Sequence, residues 1–166
     1  MSIPVKGSQT IALSGLSEAA TKLGRLLPAH IVSRAIQVAT ELDLASHIGD
    51  DDKSCTELAA LCGAHAPTLS RLMRMLVSVG VFADNNRRFT NNDVSALLRS
   101  DVPQSMRAWA CMLGADFQWS TTQALMHSVL TGKSACQHVF GDELFSYLSR
   151  HPDKAQLFDA AMVVQS

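Results

Sequence analysis

Between Ser54 and Thr90 the helix and strand signals come in an order that leaves few folds open. Ser54-Cys-Thr-Glu57 has the form of a capping box: the serine oxygen can accept a first-turn N–H while the glutamate reaches back. The short helix it opens places Leu58, Ala59, Leu61 and Cys62 on its inner side, and Gly63 suits a left-handed stop. The next helix has Pro67 near its start and Gly80 just past its end. Between them Leu69, Leu72, Met73, Leu76 and Val77 fall at i, i+3, i+4, i+7 and i+8, a single apolar stripe. Val81-Phe82 and Arg87-Arg88-Phe89-Thr90 then flank Asp84-Asn85-Asn86, a hairpin signal. Two helices joined by a three-residue turn and followed by a hairpin make a winged helix.

The flanks are helical. Leu26 to Leu44 carries apolar residues at Ile31, Val32, Ala35, Val38, Ala39 and Leu42, a helix beginning after Pro28. Ile11 to Leu23 is a weaker helical pattern interrupted by Gly15, and Gly49 with Asp50-Asp51-Asp52 forms a polar break. Asp101 and Pro103 are expected to start a helix with Met106, Trp109, Ala110 and Leu113 on one face. Gly114 separates it from a second, with Leu125, Met126, Val129 and Leu130 ahead of Gly132. A shorter helix carries Leu144, Phe145 and Leu148. Pro152 opens the last one, where Leu157, Phe158, Ala161 and Met162 are still recurring near Ser166. A pattern cut off in mid-helix is expected of a fragment, or of a protein that lost a downstream domain. The chain therefore reads as mainly α: an N-terminal arm (1–25), a winged helix (26–100) and a helical segment (101–166).

Charge narrows the partners. Fourteen Lys and Arg against fifteen Asp and Glu, among 166 residues, do not by themselves attract nucleic acid or an anionic membrane. The apolar runs are far below the roughly 20 residues that span a bilayer, and the first ten residues lack a signal-peptide pattern. Cys55, Cys62, Cys111 and Cys136 include no C-x-x-C pair, so reduced, mostly buried thiols in the cytoplasm are expected. Cys62 with His65, and Cys136 with His138, lack a second pair at zinc-site spacing, and no metal is expected.

Several stretches in order carry a family resemblance: Thr56-Glu-Leu-Ala-Ala, Leu72-Met-Arg-Met-Leu-Val-Ser-Val-Gly-Val-Phe, Leu97-Leu-Arg-Ser and Leu130-Thr-Gly. His138-Val-Phe-Gly, Phe145-Ser-Tyr-Leu, His151-Pro and Phe158-Asp-Ala-Ala-Met162 follow. From about residue 28 onward the chain resembles the N-terminal dimerisation domain of small-molecule O-methyltransferases that use S-adenosylmethionine. The resemblance implies a homodimer through the N-terminal and 103–130 helices. It also implies a small hydrophobic substrate walled by Met112, Phe117, Trp119, Phe158 and Met162, although each of these equally suits an ordinary core.

The departures matter too. Family members continue into a Rossmann-like domain with a Gly-rich cofactor loop and a catalytic histidine. Here no two of the nine glycines are close enough for G-x-G, so no cofactor-binding or catalytic residue is expected in this chain. Ala66 stands where the family often has a helix-capping Asp. The first expectation is thus a dimerisation and substrate-pocket domain without methyl transfer of its own, S-adenosylmethionine belonging to the full-length parent. The alternative is a stand-alone descendant that binds a hydrophobic biosynthetic intermediate and promotes its cyclisation. A third, a DNA-binding regulator using Arg71, Arg74, Arg87 and Arg88, sits poorly with a sequence pI of about 6.6. His127 and His138 have no acidic partner at a telling spacing and read as structural.

Overall fold

The structure, a computed structural model, describes residues 17–164. The Ile11–Leu16 part of the expected arm helix lies outside the described residues. Two compact units divide at Ile31/Val32. In the first, α1 (Glu18–Leu26) is capped by Ser17, whose hydroxyl accepts from the Ala20 N–H at 3.2 Å. It buries none of its own side chains. The boundary falls inside α2 (Ala29–Glu41), the helix expected after Pro28.

The second unit holds the winged helix. After α3 (Leu44–Ile48) come β1 (Asp52–Ser54), α4 (Cys55–Cys62), α5 (Ala66–Ser78), β2 (Ala83–Asn85) and β3 (Arg88–Thr90). The Ser54/Glu57 capping box is present in both directions, and Gly63 takes the left-handed C-cap at φ 68°. α5 starts at Ala66 with no side-chain cap from His65, which instead meets the Thr68 hydroxyl at 2.9 Å. The hairpin turns at Asn86 and Arg87, both at positive φ. The antiparallel sheet has the order β1-β3-β2, with Phe89 facing Lys53 and Asp84. Leu44, Leu58, Met73 and Leu76 are fully sealed, and Phe82 and Phe89 close the same core.

Sequence and structure part in several places: the first wing strand is Ala83–Asn85 rather than Val81-Phe82, and the helix expected after Gly114 is two, Asp116–Gln123 and Leu125–Thr131. Asp52 is not part of a break: it opens β1, a strand three residues long with no apolar alternation to announce it. Leu61 faces solvent rather than the core, leaving Leu58 and Ala59 as the buried face of α4. Only Cys136 of the four thiols is buried. The helix expected from Asp101 begins six residues later, as α7 (Arg107–Gly114), after the short α6 (Asp93–Ala96). Long-range bonds explain the delay. Arg99 clasps Asp101 and Asp50 at 2.7 and 2.6 Å, and the Met106 N–H donates back to the Leu97 carbonyl at 2.6 Å. Arg107 then fixes the start of α7 by donating to Asp43 and to the Thr40 carbonyl.

The chain continues through α8 (Asp116–Gln123), α9 (Leu125–Thr131), α10 (Ala135–Phe140), α11 (Leu144–Arg150) and α12 (Pro152–Val164). α12 packs along α7 and builds a second, smaller core.

Asn91 ties the end of β3 to α3. Its Nδ2 donates to both the Ala45 and Gly49 carbonyls at 2.8 Å. Asn91→Ala removes both bonds and is expected to cost about 1–3 kcal/mol in urea unfolding. Asn91→Asp should cost more at neutral pH, because a carboxylate would face two carbonyl oxygens; equal midpoints for the two variants would refute the clamp.

Candidate functional site

The five candidate lining residues do not form one surface. Met112 (4% exposed) and Phe117 (2%) are sealed with Ala161 at the centre of the second core, and Met162 packs against them. Aromatic rings extend this cluster. Tyr147 lies 6.3 Å from Phe117 and 4.5 Å from Phe140, and stacks on His151 at 4.1 Å. Trp119 is half-buried outside the cluster, and its indole Nε1 is buried without an acceptor among the described residues. Phe158 is also half-buried and stands edge-on to the exposed Phe145 at 6.3 Å. Met112, Phe117 and Met162 are thus brought together as packing, while Trp119 and Phe158 stand on its margins.

A different apolar space is open. A cavity of about 330 Å³ lies among Ile36 of α2, Val81, Val94, Leu97 and the stripe of Met106, at the N-cap of α7, with Trp109 and Leu113 on that helix. It contains none of the five candidates. The stripe at i, i+3 and i+7 was visible in the sequence, but nothing local said that Ile36 and Val81 would meet it.

Ionic side chains organise the wing. Arg88 donates to Asp52 at 2.6 Å and reaches Glu57 at 3.2 Å. The Ser54 cap bonds and then the Arg88 charge hold the Glu57 carboxyl below its usual range. Arg99 likewise lowers Asp101. Burial pushes the Cys111 thiol up, which disfavours thiolate chemistry there. His127 and His138 stack face to face at 3.8 Å, an arrangement of two rings without an acid between them. Among the described residues no three His, Cys, Asp or Glu side chains gather to hold a metal ion.

Comparison with known proteins agrees with this architecture. Residues 25–101 match the O-methyltransferase dimerisation domain. The phenazine O-methyltransferase PhzM of Lysobacter antibioticus is 36% identical over 138 residues, 82% of this chain and 40% of that protein. The mitomycin biosynthesis 6-O-methyltransferase of Streptomyces lavendulae is 34% identical over 132 residues, 78% of this chain and 38% of its own length. The crystal structure of LaPhzM superposes with a TM-score of 0.84 at 34% identity, covering 90% of this chain and 45% of that one. The mitomycin 7-O-methyltransferase MmcR gives 0.79 at 33%, over 87% of this chain and 43% of that one. The chain spans about two fifths of the length of these curated relatives. With its winged helix, its flanking helices and these matches, the chain belongs to the O-methyltransferase dimerisation-domain family.

Proposed function

We propose that the chain is the dimer-forming, acceptor-walling part of an S-adenosylmethionine-dependent O-methyltransferase of secondary metabolism, acting on a small aromatic or polyketide-like hydroxyl. The carrying observation is the agreement of nine tenths of the chain with less than half of a methyltransferase structure. Its own residues do not fit the cofactor, since no glycine pair supplies the tight turn that lets backbone approach it. No step of methyl transfer is therefore assigned to them. Their task is to associate with a twin and to offer apolar wall. Exposed Leu23 and Leu26 on α1 with Leu27 at its C-cap, and four exposed apolar residues on α9, support the first role. Phe158 and Trp119, at the margin of a sealed cluster, support the second; Met112, Phe117 and Met162 would back the wall and set its depth. Among the described residues no helix is long and apolar enough to cross a membrane, which suits a biosynthetic enzyme of the cytoplasm.

The open cavity beside α7 favours one second reading, a stand-alone protein that holds a hydrophobic intermediate and steers its cyclisation by fixing its shape. The native product in the source cells separates the two. A product carrying about as many residues again, and retaining S-adenosylmethionine in equilibrium dialysis, is the expected result. A native mass of 17.9 kDa without cofactor binding would reject the methyltransferase reading and leave the second.

A further inference from the structure

Successive residues of β3 line two cavities, as the alternation of a strand requires. Arg88 and Thr90 line a broad acidic one, in which Asp50, Asp51, Asp52, Glu57 and Asp93 outnumber Lys53, Arg88 and Arg99. Phe89 lines the other, about 400 Å³, together with Thr56, Ser70, Arg74, Asp84 and Arg87. Here the balance reverses. Asp84 is the one carboxylate on this wall, and its Oδ1 already accepts the backbone N–H of Arg87 at 2.7 Å.

The guanidiniums on this wall are also uncommitted. Arg88, Arg99, Arg107 and Arg150 each pair with an aspartate. Arg74 and the Arg87 side chain have no hydrogen bond or ion pair among the described residues, although both line a concavity. Arg87 is moreover held at φ 66°, in a turn position where glycine is favoured and an L side chain is disfavoured. Arg87 and Arg74 of α5 line the same cavity.

From this geometry we infer that the cavity between α5 and the wing binds a phosphoryl oxyanion. Two guanidinium side chains line it, and the Thr56 hydroxyl adds a donor. A carboxylate offers two oxygens to these groups, whereas a phosphoryl group offers three. The near-neutral charge of the chain favours a compact anion over a long polyanion. The inference rests on α4, α5 and the wing and is independent of any methyltransferase activity.

The test titrates inorganic pyrophosphate into the full chain by calorimetry, with a duplex of about 20 base pairs as the second arm. Saturable pyrophosphate binding is expected, weakened about tenfold by Arg74→Gln or Arg87→Gln and lost in the double variant. Both side chains are exposed, so the melting temperature should not move. Duplex binding that depends on the same two arginines and falls steeply with salt would identify nucleic-acid phosphate as the source of the oxyanion. Absence of saturable binding of both probes, or binding of either that survives the double substitution, would overturn the site.

Discussion

Gly114→Ala is expected to destabilise the protein by about 2–4 kcal/mol, although it adds one methyl group at the end of a helix. The reason lies on α2. A Cβ at residue 114 would fall within the side-chain amide of Gln37, a residue only 2% exposed, so the amide must leave its buried place. That amide accepts from Arg34 and donates to Glu41 at 2.8 Å, while Arg34 also donates to the Gly114 carbonyl at 3.1 Å. Displacing it therefore disturbs a partly buried polar network of four residues as well as crowding the packing. A double-mutant cycle isolates the effect. Gln37→Ala vacates the space, so adding Gly114→Ala to it should cost less than about 1 kcal/mol, a coupling well above the error of additivity. Additive losses in denaturant unfolding would show that Gln37 does not occupy this position.

Gly114 also marks what a sequence can and cannot disclose. Its role as a helix break was legible, since α7 ends at it and α8 follows. Its contact with Gln37, 77 positions away, was not. The same division runs through the fold. Ser54, Glu57, Gly63, Pro67 and Gly80 act within a few residues of themselves, so the winged helix could be read from local chemistry. β1 could not, because Asp52–Ser54 becomes a strand by pairing with residues 88–90. Nor could the true start of α7, where bonds from Arg99 and Met106 override a good helix-start pattern.

The candidate sites repeat this lesson more sharply. Arg87 and Arg88 are indistinguishable as neighbours in sequence, yet one is locked to Asp52 and Glu57 and the other is free of ion pairs among the described residues. Met112 and Phe117 have the right chemistry for an apolar wall. Only packing shows that they are sealed behind Tyr147 and Met162 rather than open. The open cavity draws on α2, the start of the wing and α7, segments far apart in the chain, and no periodicity joins them.

The largest expected change in assembly comes from α9. Leu125, Met126, Val129 and Leu130 are 61, 68, 73 and 76% exposed, at i, i+1, i+4 and i+5 on one side of the helix. Four large apolar residues on one short helix are costly to leave in water, and burying each contributes about 1.5–3 kcal/mol. A twofold interface counts every residue twice, so Val129→Glu with Leu130→Glu would place four carboxylates in it. The unmodified chain is expected to sediment at twice 17.9 kDa, and the double variant as a monomer whose self-association is weaker by about two orders of magnitude or more. Because these side chains face outward in the protomer, helix content and melting temperature at high dilution should stay near those of the parent. Lys133→Glu, just beyond the helix, serves as the charge control and should leave the dimer intact. A dimer that survives Val129→Glu/Leu130→Glu would remove α9 from the interface and point instead to Leu23 and Leu26 of α1 with Leu27 at its C-cap, another apolar row exposed among the described residues.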